Sequence, residues 1–236
     1  MVSVEGLDGR VAIVTGAARG IGKAIAEGLA RNGAMVAALD LAAPDLPGVV
    51  GYVCDVSDES AVGAVIGNVE QDLGIVSVAV LNAGIFHVAP FEETTTELWD
   101  RTLAVNLTGA FLCARRVLPG MRKQRWGRVV MISSMAGKNG AIKPAAAYAA
   151  SKAGMSNLAR SIAREYAPHG VTANAIAPAL IDTPMVDAAR DLEKLIPVGR
   201  LGTPEDVAAL ACFLASEEAS FITGEVSDVN GGVYID

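Results

Sequence analysis

Two large polar side chains stand four residues apart in the alanine-rich stretch "AAAYAASKAG", and they are Tyr148 and Lys152. On a helix this spacing places both side chains on one face, one turn apart. A phenol with a pKa of about 10 is a poor base at neutral pH, but a neighbouring ammonium stabilises its phenolate form. The pair therefore predicts a tyrosine that exchanges protons. In an arbitrary helix, the same spacing is more often a packed tyrosine beside a surface lysine.

Two further polar residues favour the chemical interpretation. The run "RVVMISS" is typical of a buried strand that ends at Ser134. Its hydroxyl would emerge at the carboxyl edge of a sheet, where open α/β folds bind ligands. Asn106, in "VNLTG", is predicted to lie in a helix, where its amide would hold a water near Lys152.

A glycine-rich loop, "TGAARGIG", follows the first apolar strand and precedes an amphipathic helix. Its glycines allow a tight turn, and its free N–H groups and the positive end of the helix dipole favour a pyrophosphate. Such a loop alone is weak evidence. Asp40, however, ends the second strand about 20 residues later, where a carboxylate can bind the ribose hydroxyls of a dinucleotide.

The residues beside the ribose predict NAD rather than NADP. Arg19 could bind an additional phosphate, but Asp40 would repel it by about 4 kcal/mol at 4 Å and an effective dielectric of 20. Leu41 adds no cation. NAD is the expected cofactor, and NADP is less favoured.

Apolar runs rich in Val, Ile and Ala alternate with helical patterns along all 236 residues. Strands of this kind, buried on both faces, are typical of parallel sheets. We predict one α/β domain over residues 1–236, with a single Rossmann-like, doubly wound parallel β-sheet of about seven strands and helices on both faces. The predicted strands are "VAIVTG", "MVAALD", "GYVCDV", "VSVAVLNAG", "RVVMISS", "VTANAIAP" and "EVSDVNGG".

Composition narrows the possible partners. The formal charge of −7 opposes nucleic-acid binding, which depends on Lys and Arg. No apolar run approaches the roughly 20 residues that span a bilayer, and Glu5 and Asp8 are unlike a secretory signal. We therefore expect a cytoplasmic protein with a small-molecule substrate and no nucleic acid or membrane partner. The three cysteines are expected to be buried reduced thiols, and His87 and His169 form no metal motif.

Taken together, these stretches resemble the short-chain dehydrogenase/reductase family over nearly the whole chain. The matching segments are "TGAARGIG", "CDV", "LNAG", Asn106, Ser134, "YAASK", "APALIDTPM" and "FITGEVSDVNGG". The resemblance implies a catalytic tetrad of Asn106, Ser134, Tyr148 and Lys152 and an assembly that is a homotetramer or homodimer. Lys152 would also hold the nicotinamide ribose.

The cofactor site that follows from the motifs and the resemblance extends along one edge of the sheet. Asp55 and Val56 would flank the adenine, and Pro178, Ile181 and Thr183 would contact the nicotinamide end. The complete predicted set is Gly16, Arg19, Gly20, Ile21, Gly22, Asp40, Leu41, Asp55, Val56, Asn82, Ala83, Gly84, Tyr148, Lys152, Pro178, Ile181 and Thr183, with no metal.

Three functions are compatible with these residues. The first is an NAD-dependent oxidoreductase that interconverts a secondary alcohol and a ketone, with Tyr148 as acid or base. The second is an NADP-dependent 3-oxoacyl-[acyl-carrier-protein] reductase, which would use the basic run 115–128 to dock an acidic carrier. Asp40 opposes its usual cofactor, so this partner is not favoured. The third is a catalytically silent NAD sensor, which the intact tetrad disfavours.

Two departures from the family pattern concern the substrate pocket. Ala179 replaces the usual glycine after Pro178, and an alanine is strained there if the position needs a positive φ. The resemblance also implies that the lid of the pocket lies between Thr183 and Arg200, and this segment is short here. Four apolar residues are candidates for the pocket wall, although core packing is equally compatible with each: Phe86, Met135, Ile142 and Met185.

Overall fold

The structure, a computed structural model, describes residues 4–235, with the side chains of residues 186–191 left aside. Seven parallel strands form one sheet in the order β3-β2-β1-β4-β5-β6-β7. This confirms the predicted fold class. The strands are β1 Val11–Thr15, β2 Met35–Asp40, β3 Val49–Val53, β4 Val76–Leu81, β5 Gly127–Ile132, β6 Val171–Pro178 and β7 Val226–Val229.

Helices cover both faces of the sheet. They are α1 Gly20–Arg31, α2 Glu59–Asp72, α3 Thr96–Leu103, α4 Gly109–Gln124, α5 Ala136–Asn139, α6 Ala146–Tyr166 and α7 Pro204–Leu214. A π-helical turn, Ala104–Thr108, joins α3 to α4, and three 3-10 segments comprise Phe91–Glu93, Ala167–His169 and Pro184–Leu195.

Alternation along the strands divides the apolar residues into two cores. Ala12 and Val14 of β1 pack in the cluster that contains α1 and α7. Val11 and Ile13 pack in the opposite cluster, with α2, α4 and α6. Successive side chains of a strand point to opposite faces, so near-continuous apolar runs are needed where both faces are covered.

The two outer strands differ from the predicted pattern. β3 is an edge strand with partly exposed residues, and it ends at Val53 rather than continuing through Val56. The chain turns beyond it because Asp55 Oδ1 accepts hydrogen bonds from the Ser57 backbone N–H at 2.9 Å and hydroxyl at 2.6 Å. Asp58 then caps α2 by accepting from the N–H groups of Ser60 and Ala61.

The strand order reverses direction between β1 and β4, since β2 lies on one side of β1 and β4 on the other. Connections from these strands therefore leave in opposite directions and open a crevice at their carboxyl ends. The segments that follow β1, β4, β5 and β6 carry most of the predicted site residues to this crevice.

The three cysteines are buried, as predicted. Burial raises the pKa of the Cys54 thiol to about 11, that of Cys113 to about 12 and that of Cys212 to about 11, which opposes thiolate formation. Among the residues described, no helix is both long and apolar enough to cross a bilayer.

Candidate active site

The glycine loop is folded so tightly that two of its positions exclude any side chain. Gly16 has φ +65°, and a Cβ there would lie 2.8 Å from Ala83 Cα. A Cβ on Gly22 would lie 2.1 Å from the Gly16 carbonyl oxygen. Contact distances this short are prohibitive, so the loop geometry requires glycine at both positions. The resulting backbone cradle at the start of α1 is suited to a pyrophosphate.

Thr15, which the sequence analysis did not single out, joins the cradle to the loop after β4. Its buried hydroxyl oxygen accepts hydrogen bonds from the N–H groups of Asn82 and Ala83, both at 3.0 Å. The Asn82 side-chain amide donates in turn to the carbonyl oxygens of Thr15 and Gly16. These bonds join the glycine loop to the loop after β4. In the sequence, the only sign of this role is that Thr15 is a polar residue within an apolar strand.

Asp40 lies beside the glycine loop at the end of β2. Its carboxylate accepts hydrogen bonds from Ala18 N at 2.9 Å and from Leu41 N at 2.7 Å. Arg19 is the exposed residue just before α1, and Leu41 is 70% exposed. Two backbone bonds therefore fix a negative charge at the expected position of the ribose.

The predicted adenine contacts lie on the turn after β3. Asp55 is exposed, and its hydrogen bonds from Ser57 hold the pKa of its carboxyl below the ordinary value. Val56 is buried against Gly109, where an added Cβ would lie 2.8 Å from Val56 Cγ2. The turn is thus anchored to the first residue of α4.

Ser134 and Tyr148 meet at the carboxyl edge of the sheet. Both side chains line the same pocket, and the Ser134 hydroxyl oxygen accepts a hydrogen bond from Ala136 N at 3.1 Å. Burial raises the pKa of the Tyr148 phenol, and the neighbouring Ser134 side chain offsets only part of this rise. The phenol is therefore protonated at neutral pH. This direction is opposite to the one predicted from the neighbouring ammonium, because desolvation of the phenol is the larger effect.

Lys152 is buried one turn beyond the tyrosine, with 3% of its surface exposed. Its Nζ donates to the Ile132 carbonyl oxygen at 2.7 Å and lies 5.6 Å from the centroid of the Tyr148 ring. Burial lowers the pKa of Lys152 to about 8. The ammonium thus points into the site from a position fixed by the end of β5.

Asn106 occupies the π-helical turn and is completely buried. Its Oδ1 accepts from Ile85 N at 2.8 Å, while its Nδ2 donates to Ile85 O and Ser151 Oγ, both at 3.0 Å. The amide therefore connects the loop after β4 to α6. A Cβ added to Gly84 would lie 3.3 Å from Asn106 Oδ1 and 3.4 Å from Lys152 Nζ, which shows how closely these groups approach.

A mainly apolar pocket opens beside Ser134 and Tyr148. The Phe86 ring contacts the Tyr148 ring edge-on, with centroids 4.9 Å apart. All four apolar candidates line this pocket. Nine residues of the predicted catalytic and cofactor sets also line it: Ile21, Asn82, Gly84, Ser134, Tyr148, Lys152, Pro178, Ile181 and Thr183.

The other predicted residues lie outside the pocket lining. They are Gly16, Arg19, Gly20, Gly22, Asp40, Leu41, Asp55, Val56, Ala83 and Asn106. Thr183 connects the two groups, because its Cγ2 would lie 3.3 Å from a Cβ on Gly20. The nicotinamide and pyrophosphate ends of the predicted site are therefore neighbours.

The strain considered at Ala179 occurs elsewhere. Among the described residues, Arg125 and Ala141 are the non-glycine residues with positive φ, so Ala179 is relaxed. Ala141 has φ +75° and lies in the pocket wall. A left-handed alanine costs roughly 1 kcal/mol, and such strain is often found at functional sites.

The basic run 115–128 separates into three groups. Arg115 pairs with Glu59, and Arg116 Nη2 lies 2.7 Å from Glu70 Oε2, both acids on α2. Arg128 is 2% exposed and packs over the Trp126 ring at 4.3 Å.

The remaining cations, Arg122, Lys123 and Arg125, are exposed around the end of α4. Arg125 Nη2 donates to Pro168 O at 3.3 Å, which brings it to the segment that carries His169. The exposed basic surface at the end of α4 therefore extends to the 3-10 turn Ala167–His169.

Neither histidine joins a metal-binding group. His87 is exposed, and the His169 ring makes an edge contact with Tyr166 at 6.3 Å. Among the side chains that the structure describes, which leave out residues 186–191, no cluster of three or more His, Cys, Asp or Glu could hold a metal ion.

Comparison with known proteins gives matches over nearly the whole chain. A family model described as enoyl-(acyl carrier protein) reductase matches residues 16–234. The chain is 40% identical to the 3-oxoacyl-[acyl-carrier-protein] reductase FabG of Vibrio cholerae, covering 97% of this chain and 99% of that protein. It is 43% identical to the 3-oxoacyl-[acyl-carrier-protein] reductase MabA of Mycobacterium bovis, covering 95% and 92%.

Two further similarities extend beyond these reductases. A short-chain dehydrogenase/reductase of Armillaria gallica is 41% identical, with complete coverage of both chains. The crystal structure of gox2181 superposes with a TM-score of 0.90 at 35% identity and covers 96% of each chain. The chain belongs to the short-chain dehydrogenase/reductase family of oxidoreductases.

Proposed function

We propose that this protein reduces the ketone of a 3-oxoacyl thioester to a secondary alcohol. The observation that carries the proposal is the adjacent pair of hydroxyls, Ser134 and Tyr148, at an apolar pocket, with the phenol protonated at neutral pH. A protonated donor suits reduction, because a carbonyl oxygen that receives hydride on its carbon must also receive a proton.

The side chains divide this work between them. Ser134 holds the carbonyl oxygen, and Tyr148 donates its proton to that oxygen as negative charge develops. A nicotinamide dinucleotide bound along the glycine loop would supply the hydride. Lys152, a cation below its pKa of about 8, stabilises the phenolate that remains. General-acid assistance of this kind contributes roughly 10²–10⁴-fold to a rate.

Asn106 supports this arrangement through the loop after β4. Its amide bonds to Ile85 and Ser151, so it holds Gly84 and α6 at a fixed separation. We retain the prediction that it also orders a water near Lys152 for return of the proton to the tyrosine.

The thioester substrate is supported by the two bacterial relatives named as 3-oxoacyl reductases and by the pocket wall. Phe86, Met135 and Leu180 provide an apolar surface that suits an acyl chain. The description of the family model refers to enoyl reduction, but two hydroxyls beside one position are better suited to a carbonyl oxygen than to a carbon–carbon double bond. The alternative of the sequence analysis is therefore the better-supported substrate class.

NAD(H) remains our proposed cofactor. The names of the relatives specify no dinucleotide, whereas Asp40 places a fixed carboxylate beside the glycine loop. A carboxylate there accepts bonds from ribose hydroxyls and repels an additional phosphate.

The acyl carrier is the proposed partner because Arg122, Lys123 and Arg125 form an exposed basic surface. An acidic carrier would bind such a surface mainly through long-range attraction. The homotetramer or homodimer and the cytoplasmic location remain predictions from the resemblance and the composition.

The function is tested by following loss of reduced nicotinamide absorbance with purified enzyme. Acetoacetyl thioesters and simple ketones should be compared in this direction, and secondary alcohols in the reverse direction, where the oxidised dinucleotide accepts the hydride and the absorbance rises. The acetoacetyl thioester is expected to give the highest kcat/KM, and Tyr148→Phe should lower kcat by about 10³-fold. Tyr166→Phe removes a tyrosine hydroxyl on the same helix and serves as the control.

Two results would contradict the proposal. Retained turnover in Tyr148→Phe would remove this residue from the chemistry. Tight dinucleotide binding without turnover of any carbonyl or alcohol would instead indicate the silent sensor considered from the sequence.

A further inference from the structure

Ser133, the residue before the proposed catalytic serine, is buried in the seam between β5 and α6. It is 3% exposed, and its Oγ donates to the Lys152 carbonyl oxygen at 2.8 Å. Ser156, 7% exposed, lies 2.9 Å from Ser133 Oγ and donates more weakly to the same carbonyl at 3.3 Å. The Ser133 side chain, at the end of β5, thus hydrogen-bonds the backbone of α6 at Lys152.

The end of β5 therefore holds Lys152 at two points. The Ile132 carbonyl accepts from Nζ at 2.7 Å, and Ser133 binds the main-chain carbonyl at the other end of the same residue. Ser133 N also donates to Ile176 O at 2.8 Å, which fixes this serine to β6. The position of the buried ammonium is consequently fixed relative to both β5 and β6.

The backbone at Gly137 packs closely against α6 at Lys152, so a displacement of the helix there would move both segments. A Cβ on Gly137 would lie 2.8 Å from the Lys152 carbonyl carbon and 2.7 Å from Ala153 N. Gly137 N also donates to Ser134 O at 3.0 Å. Movement of α6 at Lys152 would therefore change the relation between the Ser134 and Tyr148 hydroxyls.

We propose that Ser133 is a positioning residue, whose hydrogen bond to the Lys152 backbone keeps Tyr148 and Lys152 in register with Ser134. This inference rests on the proposed function for the roles of those three residues. Ser133 does not contact the substrate in this scheme. It acts by keeping β5 and α6 at a fixed distance from each other. A displacement of about 1 Å can lower a reaction rate as much as 10²-fold, so loss of the Ser133–Lys152 hydrogen bond should lower kcat.

The test compares three variants in the thioester assay. Ser133→Ala should lower kcat about tenfold while KM for the reduced dinucleotide changes less than about twofold. Ser133→Cys fills the same space with a weak donor, so a hydrogen-bonding role also predicts a lower kcat, whereas a purely space-filling role predicts the wild-type value. Ser156→Ala is the matched control, because it removes a buried hydroxyl but leaves the Ser133 bond intact.

A second readout does not depend on turnover. Acetic anhydride should acetylate the Lys152 side chain several-fold faster in Ser133→Ala than in the wild type, as measured by peptide mass spectrometry, and Ser156→Ala should show no change. Equal effects of Ser133→Ala and Ser156→Ala, or unchanged kcat and labelling in Ser133→Ala, would overturn the inference. Failure of the proposed function would appear separately, as turnover that survives Tyr148→Phe.

Discussion

The Asp40 carboxylate lies 2.9 Å from the Ala18 backbone nitrogen and accepts its hydrogen bond. The last residue of β2 is thereby joined to the glycine loop after β1, two segments that are 22 residues apart in sequence. A further bond from Leu41 N leaves the carboxylate little freedom to turn away from a ligand. We therefore propose that its charge acts on whichever dinucleotide the loop receives.

We expect Asp40→Asn to weaken discrimination against NADPH. The substitution keeps an acceptor for Ala18 N but removes the negative charge, so the ratio of kcat/KM for NADH to that for NADPH should fall by about tenfold or more. Asp45→Asn, at an exposed site on the following loop, should leave the ratio unchanged. Wild-type enzyme that uses both dinucleotides equally would contradict the proposed preference.

Burial of Lys152 predicts a specific dependence of stability on pH. Its pKa falls from 10.5 in the unfolded chain to about 8 in the fold, so between these values the unfolded state binds more protons. The free energy of unfolding should therefore rise with pH across this window, by an amount on the order of 3 kcal/mol, relative to Lys152→Met.

Urea titrations of both proteins across the window measure this difference. The three cysteines, whose raised pKa values give the opposite slope, are present in both proteins and cancel in the comparison. A difference that does not vary with pH would show that Lys152 keeps its ordinary pKa in the folded protein.

Two glycine substitutions on helices should have opposite effects. A Cβ at Gly22 would lie 2.1 Å from the Gly16 carbonyl oxygen, whereas a Cβ at Gly63 on α2 would meet no atom within 4 Å. Gly22→Ala should therefore deform the loop and lower dinucleotide affinity at least tenfold. Gly63→Ala should raise the free energy of unfolding by up to about 1 kcal/mol, because alanine favours helix.

Fluorescence titration with NADH and urea unfolding measure the two effects. If Gly22→Ala binds NADH normally, the close approach of the glycine loop to its own helix would have no role in cofactor binding.

The exposed basic surface predicts an effect that depends on how the substrate is presented. Arg122→Glu combined with Arg125→Glu should raise KM about tenfold for an acetoacetyl group on the acyl carrier protein. KM for the same acyl group on a small thioester should not change, because that substrate needs no protein surface. Arg31→Glu, on the opposite face of the sheet, is the control for a charge reversal away from this surface. Equal KM changes for both substrates would exclude carrier docking at this surface.

Local sequence patterns were sufficient to predict the strands, the glycine loop and the tyrosine–lysine pair. Each depends on residues within a few positions of one another: alternating burial, turn-forming glycines, or one helical turn. The parallel direction of the strands was predicted from their apolar character and from the helices between them. Burial on both faces leaves a strong compositional signal, and most of the sheet is therefore predictable.

Long-range polar contacts were not predictable in this way. The acids that pair with Arg115 and Arg116 lie 56 and 46 residues away, so the basic run seemed richer in available charge than it is. The hydroxyls of Thr15 and Ser133 resemble ordinary polar breaks in apolar strands. Their importance depends on which loop or helix the fold places opposite them.

The pKa of Tyr148 shows a different limit. The sequence identifies Lys152 as a neighbour, but it does not reveal that both groups are desolvated or that the ammonium bonds to Ile132 O. Desolvation raises the phenol pKa and lowers the ammonium pKa, so it opposes charge on both. The raised pKa of the Tyr148 phenol is therefore evident only from the three-dimensional packing.

The π-helical turn at Ala104–Thr108 inserts a residue into an otherwise continuous helical path from α3 to α4. Each residue of a regular helix advances it by about 1.5 Å and 100°. Deleting one residue from this turn would therefore give a more regular helix. It would also rotate the Asn106 amide away from its hydrogen-bond partners, Ile85 and Ser151. Sequence length at this junction is thus under a constraint independent of helix stability, and designers who idealise the backbone here would improve the helix at the expense of the enzyme.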